Sequence, residues 1–110
     1  MKIPNADRAI IAREKLRDYL LNPLHRRGGP KARLLMSLGY RAEDCDQLEH
    51  DLRSQHLTSD VTNVSDTEYG VRFEIVATIL TPSGAHCDFC SVWQIDEGAD
   101  VPRLITLYPG

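Results

Sequence analysis

The apolar residues in the first part of the chain recur at a helical spacing. Between residues 10 and 21, six apolar positions follow this period: Ile10, Ile11, Leu16, Tyr19, Leu20 and Leu21. Asn22-Pro23 ends this first predicted helix, because proline cannot continue the backbone hydrogen bonding. Pro30 suits the first turn of a second helix over residues 31 to 38, and Gly39 suits its left-handed C-terminal cap.

A third helix is predicted from about residue 43 to residue 55. Acidic residues open this segment, as the positive end of a helix dipole favours: Glu43, Asp44 and Asp46. Cys45, Leu48 and Leu52 then recur at i, i+3 and i+7 and form one narrow apolar face. We expect this helix to lie on the surface, with Cys45 packed into the core.

From residue 58 onward the period becomes two, which indicates β-strands. In residues 71 to 80, five apolar positions alternate with their neighbours: Val71, Phe73, Ile75, Ala77 and Ile79. Residues 81 to 84 form a turn, residues 87 to 95 a second long strand, and residues 103 to 108 the last one. With a weaker strand near residues 61 to 64, the pattern predicts one α+β domain over residues 1 to 110. N-terminal helices pack on a C-terminal four-stranded antiparallel β-sheet.

The last strand carries two hydroxyl groups on one predicted face. In a regular strand Leu104, Thr106 and Tyr108 share that face, while Arg103 lies on the other face. The hydroxyls of Thr106 and Tyr108 are then placed to line a common surface. Alternatively, both residues are there as good strand formers, and Tyr108 packs its ring while its hydroxyl stays in water.

Charge is divided unevenly along the chain. Residues 1 to 34 hold nine Lys/Arg against three Asp/Glu, a net +6, whereas residues 35 to 110 hold four against thirteen, a net −9. This asymmetry predicts either an anionic ligand at one end or a charge match within the chain. The sequence shows no signal-peptide core and no transmembrane run, so we expect a cytoplasmic protein with no membrane partner. Three cysteines, an odd number, are expected to be reduced.

The basic residues concentrate around the loop from His25 to Lys31. Glycines let a backbone approach a ligand, and the free amides at a helix start suit a phosphate. The candidate phosphate-binding residues are Arg26, Arg27, Gly28, Gly29 and Arg33. The loop lacks the spacing of a nucleotide-binding P-loop, so a turn whose glycines only satisfy backbone geometry is an equal alternative.

The chain contains histidines and cysteines that could act as reactive groups. His25 suits a general base, or else an exposed loop position hydrogen-bonded to the backbone. His50 and His56 have no evident partners, so we expect both at the surface. Cys87 and Cys90 have the spacing of a zinc pair, but residues three apart on a strand point to opposite faces. We therefore predict structural cysteines and no metal or other cofactor.

A resemblance adds to these observations. It rests on several segments: Ile3-Pro4-Asn5-Ala6, residues 15 to 23, His25, Gly28-Gly29-Pro30-Lys31-Ala32, Leu38-Gly39-Tyr40, Trp93 and residues 102 to 109. Over nearly the whole chain, these segments are similar to a bacterial and phage-associated family of small domains of unknown function. The helical N-terminus followed by a sheet ending in Thr-x-Tyr-Pro also distantly resembles the barnase, EndoU, colicin and RelE superfamily of metal-independent ribonuclease toxins.

The superfamily resemblance implies cleavage of RNA through the ribose 2′-hydroxyl. It implies His25 as the base, Lys31 and Arg103 on the phosphate, and Thr106 and Tyr108 in positioning or donating roles. The chain departs from many such nucleases because it is acidic overall and lacks a clear second histidine for the general acid. The alternative is a non-catalytic binding module, such as an immunity or accessory protein that engages a cognate toxin through charge.

Overall fold

The computed structural model describes residues 1–110, and its helices all precede its sheet. Two α-helices are present, α1 (Gly29–Ser37) and α2 (Cys45–Asp51). Wider π-helical turns form Lys15–Leu20 and Leu52–His56, and single 3₁₀ turns form Ala6–Arg8 and Ala42–Asp44. None of these helices has the length and apolar character needed to span a membrane.

Four strands follow in the order of the sequence: β1 (Asn63–Thr67), β2 (Gly70–Leu80), β3 (His86–Asp96) and β4 (Arg103–Pro109). Each strand pairs antiparallel with the next, so the sheet order is β1-β2-β3-β4. The predicted α+β class, with N-terminal helices and a C-terminal four-stranded antiparallel sheet, is confirmed.

The core lies between the helices and one face of the sheet. The helices contribute Leu16, Leu20, Leu48 and Leu52, each with no exposed surface. The sheet contributes Phe73, Ile75, Ile79, Phe89, Trp93, Leu104 and Leu107. Burying each such side chain contributes about 1.5–3 kcal/mol. This shared core holds the helical half against β4, and Cys45 lies in it as expected.

The other face of the sheet, which we call the open face, has no helix packed on it. Cross-strand register places three rows of side chains there: Arg72, Gln94 and Arg103; Glu74, Val92 and Thr106; Val76, Cys90 and Tyr108. Each row runs across β2, β3 and β4. Val92, at the centre of β3, is only 6% exposed.

A β-bulge in β4 corrects the predicted faces of this strand. Val92 pairs with Thr106 but the next residue, Trp93, pairs with Leu104, so Ile105 is an extra residue. The expectation that Leu104 shares a face with Thr106 and Tyr108 is therefore wrong. The bulge turns Leu104 into the core and leaves Thr106 on the open face.

The predicted surface position of His56 is also wrong, because its ring has no exposed surface. Its Nε2 lies 3.0 Å from the carbonyl oxygen of Ala77, which only accepts hydrogen bonds, so Nε2 carries the proton. Nδ1 therefore accepts from the hydroxyl of Ser91 at 2.7 Å, and Ser91 accepts in turn from Trp93 Nε1 at 2.8 Å. Helical spacing from Leu52 carries His56 inward. His50 is exposed, as predicted.

The segment before the first helix fixes the helical half beside β4. The amide of Ile10 donates to the carbonyl of Pro102 at 2.8 Å, and the amide of Leu104 donates to the carbonyl of Ile10 at 2.9 Å. These bonds make a short parallel bridge at the outer edge of β4. The helical turn Lys15–Leu20 and the start of α1 therefore lie next to this edge.

Candidate functional site

Lys31 joins the start of α1 to the open face. Its Nζ donates to Thr106 Oγ1 at 2.8 Å and to the hydroxyl oxygen of Tyr19 at 3.3 Å. The same nitrogen lies 5.3 Å from the centre of the Tyr19 ring and 5.9 Å from that of Tyr108. Two aromatic faces and two hydroxyls thus surround one ammonium group, and three of the predicted site residues meet here.

The charge of Lys31 has no carboxylate partner. The lysine is half-buried, and no Asp or Glu oxygen lies within ion-pairing distance of its Nζ. An ammonium has three donors, and two of them are used by neutral hydroxyls. The remaining donor and the full positive charge are available to an anion.

Tyr19 belongs to this site although the sequence showed it only as an apolar position of the first helix. Burial raises the pKa of Tyr19, but the hydrogen bond from Lys31 and the neighbouring hydroxyl of Thr106 oppose this effect. The charges of Lys31 and Lys15 act in the same direction as those two groups, and the net result is a lowered pKa. The phenol is therefore a better proton donor than an ordinary tyrosine. From the sequence, the place of Tyr19 in the site could have been inferred only from its contact with Lys31, twelve residues later.

His25 packs beside Tyr19, with ring centres 4.8 Å apart. Its Nδ1 accepts hydrogen bonds from the backbone amides of Arg27 at 3.1 Å and Gly28 at 3.0 Å. Because Nδ1 is an acceptor in both bonds, the neutral ring carries its proton on Nε2. In this tautomer His25 presents a donor, not a base, to the site.

The loop glycines have a packing role. An added Cβ at Gly28 would lie 2.5 Å from the carbonyl oxygen of Tyr19, and one at Gly29 would lie 2.8 Å from that of Pro23. The Gly29 amide donates to the carbonyl of His25 at 2.9 Å. The amides proposed for a phosphate at these two glycines are thus used within the loop. Phosphate binding here would depend on side chains, namely those of Arg26, Arg27 and Arg33.

The nine basic residues of the N-terminal third fall into two groups. Four form ion pairs: Lys2 with Asp60, Arg8 with Asp100, Arg13 with Asp46 and Arg17 with Asp18. The other five have no acidic partner and cluster along the chain around the His25 loop. We call them the unpaired cations: Lys15, Arg26, Arg27, Lys31 and Arg33. Charge matching within the chain therefore accounts for part of the asymmetry, and two of the unpaired cations, Lys15 and Lys31, lie over the Tyr19 ring.

Tyr108 lies on the open face next to Cys90. The neighbouring Cys90 thiol, together with burial and the charge of Glu74, raises the pKa of Tyr108 to about 12. Tyr108 therefore stays protonated at neutral pH. The centres of its ring and of the Tyr19 ring lie 5.9 Å and 5.3 Å, respectively, from the Lys31 ammonium.

Arg103 is not brought to Lys31. Its Nε donates to Asp96 Oδ2 at 2.7 Å, and Asp96 also accepts from Gln94 Nε2 at 2.7 Å. The hydrogen bond with Asp96 raises the pKa of Arg103, and its counterpart lowers the pKa of Asp96. Arg103 shares the open face with Thr106 only because of the bulge, and its guanidinium is held one row away.

The site is an open surface and contains no metal-binding group. The four cavities of the protein are lined by other residues. No three His, Cys, Asp or Glu side chains are grouped as metal ligands. Cys87 and Cys90 lie on β3, where the alternation of the strand directs them to opposite faces.

Comparisons with known proteins give a family and a fold. The family model described as "Domain of unknown function (DUF6883)" matches residues 2–110. No curated protein matches the sequence. A chain in the solved structure of a contact-dependent growth inhibition toxin–immunity protein complex from Klebsiella pneumoniae 342 has a TM-score of 0.65 and 15% identity. The match covers 92% of this chain and 99% of that chain, and at this identity it shows a shared fold alone. The chain belongs to the DUF6883 family of domains of unknown function.

Proposed function

We propose that this protein is a ribonuclease of the toxin type, which cleaves RNA through the ribose 2′-hydroxyl without a metal ion. The observation that carries this proposal is the Lys31 ammonium, held by Thr106 and Tyr19 with no carboxylate to neutralise it. A cation that is fixed in position and partly buried can stabilise the negative charge that develops on the phosphorane oxygens. The fold shared with a chain of a toxin–immunity complex is consistent with this proposal.

In the proposed reaction the 2′-oxygen attacks the adjacent phosphorus, and the bond between phosphorus and the 5′-oxygen breaks. One proton leaves the 2′-hydroxyl and another is delivered to the 5′-oxygen. Negative charge builds on the non-bridging oxygens, which the Lys31 ammonium binds. Thr106 positions Lys31, and the raised pKa of Tyr108 keeps its hydroxyl available as a donor.

His25 takes a positioning role in this proposal. The amides of Arg27 and Gly28 occupy its Nδ1, so the neutral ring can donate a hydrogen bond from Nε2 but cannot give up that proton without becoming an imidazolate. The proton for the 5′-oxygen is therefore assigned to the hydroxyl of Tyr19, whose pKa is lowered. The base role that the superfamily resemblance implies for His25 would require both amide hydrogen bonds to break or the ring to turn.

The unpaired cations would capture the RNA backbone. Arg26, Arg27 and Arg33 are exposed, and they flank Lys31 in the sequence. Each neutralised phosphate releases condensed counterions, which makes binding favourable and salt-dependent. The acidic remainder of the chain would limit binding to other surfaces.

The test is single-turnover cleavage of a mixed RNA panel in EDTA by the wild type, by Lys31→Met and by Lys2→Met. Lys2 is an exposed lysine paired with Asp60, far from Tyr19 in the sequence, and serves as the matched control. We expect Lys2→Met to cleave normally. Lys31→Met should lose about 10² to 10³ in rate, the usual cost of removing one oxyanion donor. Equal rates for the two variants would contradict the assignment, and a wild type that cleaves no RNA would favour the binding or immunity module.

A further inference from the structure

The proposed reaction needs an acceptor for the 2′-hydroxyl proton, and the residues around Lys31 do not provide an unoccupied one. His25 Nδ1 already accepts two amide hydrogen bonds. The Tyr19 oxygen accepts from Lys31, and Tyr108 is a weak acid with its proton retained at neutral pH. A carboxylate is the remaining side-chain type that accepts a proton readily near neutral pH.

The long strands place carboxylates on the open face at three positions. Asp88 accepts a hydrogen bond from Thr78, and Asp96 is paired with Arg103. Glu74 is different, because its carboxylate has neither an ion-pair partner nor a hydrogen-bond donor among the protein side chains. It is also half-buried in the middle of β2, where a carboxylate without a partner is unusual.

Register aligns Glu74 with the Lys31 site. Glu74 pairs with Val92 on β3, and Val92 pairs with Thr106 on β4, so the three residues form one row across the open face. The two end residues are two strands apart, roughly 9–10 Å between their Cα atoms. Val92 lies between them as an apolar floor. A ribose lying over Val92 would have Glu74 on one side and the Thr106-bound ammonium on the other.

We propose that Glu74 is the general base of this site, a role that rests on the proposed ribonuclease function. Its carboxylate accepts the proton of the 2′-hydroxyl while the bond from the 2′-oxygen to phosphorus forms. The bond from phosphorus to the 5′-oxygen breaks, and that oxygen takes a proton from the Tyr19 hydroxyl, whose pKa is lowered. One proton is taken from the RNA and one is returned to it, so no further proton donor or acceptor is needed.

The groups that face Glu74 on the neighbouring strands do not form an ion pair with its carboxylate. Arg72 lies two residues away on the same strand and donates instead to Gln94 Oε1 at 3.0 Å. On β3 the nearest titratable group of this face is Cys90, and on β4 it is Tyr108, with Lys31 beyond. β1 places the uncharged Asn63 opposite Glu74. The charge of Glu74 acts on Tyr108, which places both groups in one electrostatic environment.

The experiment compares Glu74→Gln and Glu74→Asp with Glu68→Gln, an exposed glutamate between β1 and β2. Single-turnover cleavage, binding of a non-cleavable 2′-O-methyl RNA and thermal unfolding are measured for each. We expect Glu74→Gln to lose about 10² to 10⁴ in rate, as removal of a general base does. Its binding should be unchanged or tighter, because a negative charge next to the phosphate is gone. Glu74→Asp should keep part of the rate, and Glu68→Gln should keep all of it.

The pH profile separates a base from a merely structural residue. The acid limb of the wild-type pH–rate profile should be absent from the residual rate of Glu74→Gln. Wild-type cleavage together with full activity of Glu74→Gln would overturn the role of Glu74 and leave the ribonuclease proposal intact. Binding without cleavage by the wild type would overturn both. Loss of 2′-O-methyl RNA binding or of folding in both Glu74 variants would show a structural role instead.

Discussion

The Nζ of Lys31 lies 2.8 Å from Oγ1 of Thr106, which connects the first turn of α1 to a strand 75 residues later in the chain. Two features of the fold make this contact. The bridge at Ile10 brings the helical half to the edge of β4, and the bulge at Ile105 turns Thr106 to the open face. The contact therefore depends on the whole architecture, not on a local motif.

Thr106→Val should remove the positioning of Lys31 with little change in packing, since valine has nearly the same shape. We expect the cleavage rate to fall while the free energy of unfolding changes by less than about 1.5 kcal/mol. Thr78→Val is the control, because Thr78 is an exposed strand threonine whose hydroxyl binds Asp88. Both variants are compared by single-turnover cleavage and urea unfolding, and equal activity of the two would argue against this role of Thr106.

RNA binding should depend on salt through the unpaired cations. For single strands, the slope of log K against log salt falls by about 0.7 for each phosphate contact that is lost. The double variant Arg26→Gln/Arg27→Gln should therefore bind 2′-O-methyl RNA with a slope about 1.4 smaller in magnitude. Arg13→Gln, which removes a guanidinium paired with Asp46, should leave the slope unchanged. An identical slope in the double variant would exclude these arginines from the interface.

Stability should decline in mild acid because of His56. Burial lowers the pKa of His56 in the folded protein, although its hydrogen bond to Ala77 opposes this. The unfolded chain then binds a proton that the folded chain does not, starting near the ordinary histidine pKa of about 6.5. Above that pH, His56 does not change the free energy of unfolding. Below it, each pH unit lowers the free energy of unfolding by up to about 1.4 kcal/mol, until His56 is also protonated in the folded protein.

Urea unfolding between pH 7.5 and pH 5 measures this decline. His50→Gln, at an exposed position, should keep the wild-type pH dependence. His56→Gln should be less stable at pH 7.5, because the hydrogen bonds to Ser91 and Ala77 are disturbed, but should lose less stability on acidification. A pH dependence in His56→Gln equal to that of the wild type would assign the decline to other groups.

The period of the apolar residues was sufficient to predict the fold. Alternation in β2 placed Phe73, Ile75 and Ile79 on the core face, and Pro30 with Gly39 marked the limits of α1 to within two residues. Gly39 has a φ of 100°, as its left-handed cap requires. These signals are local, so a single sequence contains them.

The arrangement of the candidate site could not be predicted in full, because it depends on contacts between residues that are distant in the sequence. The bulge at Ile105 put Leu104 and Arg103 on the faces opposite to those predicted relative to Thr106, because one extra residue shifts a period of two and no turn residue marks its place. In the sequence, Tyr19 is one of several apolar helix positions, and its role follows only from the hydrogen bond that Lys31 donates to its hydroxyl. His56 became a core residue through its bonds to Ser91 and Ala77, which belong to strands far along the chain.

Attack by the 2′-hydroxyl determines the chemical ends of the RNA products. The most direct measurement is mass spectrometry of the products from a short RNA, incubated with the wild-type protein in EDTA, beside the same RNA carrying a single 2′-O-methyl group at the cleaved position. We expect 2′,3′-cyclic phosphate and 5′-hydroxyl ends from the unmodified RNA and no cleavage at the methylated position. Cleavage of the methylated RNA, or products with 5′-phosphate ends, would contradict this mechanism.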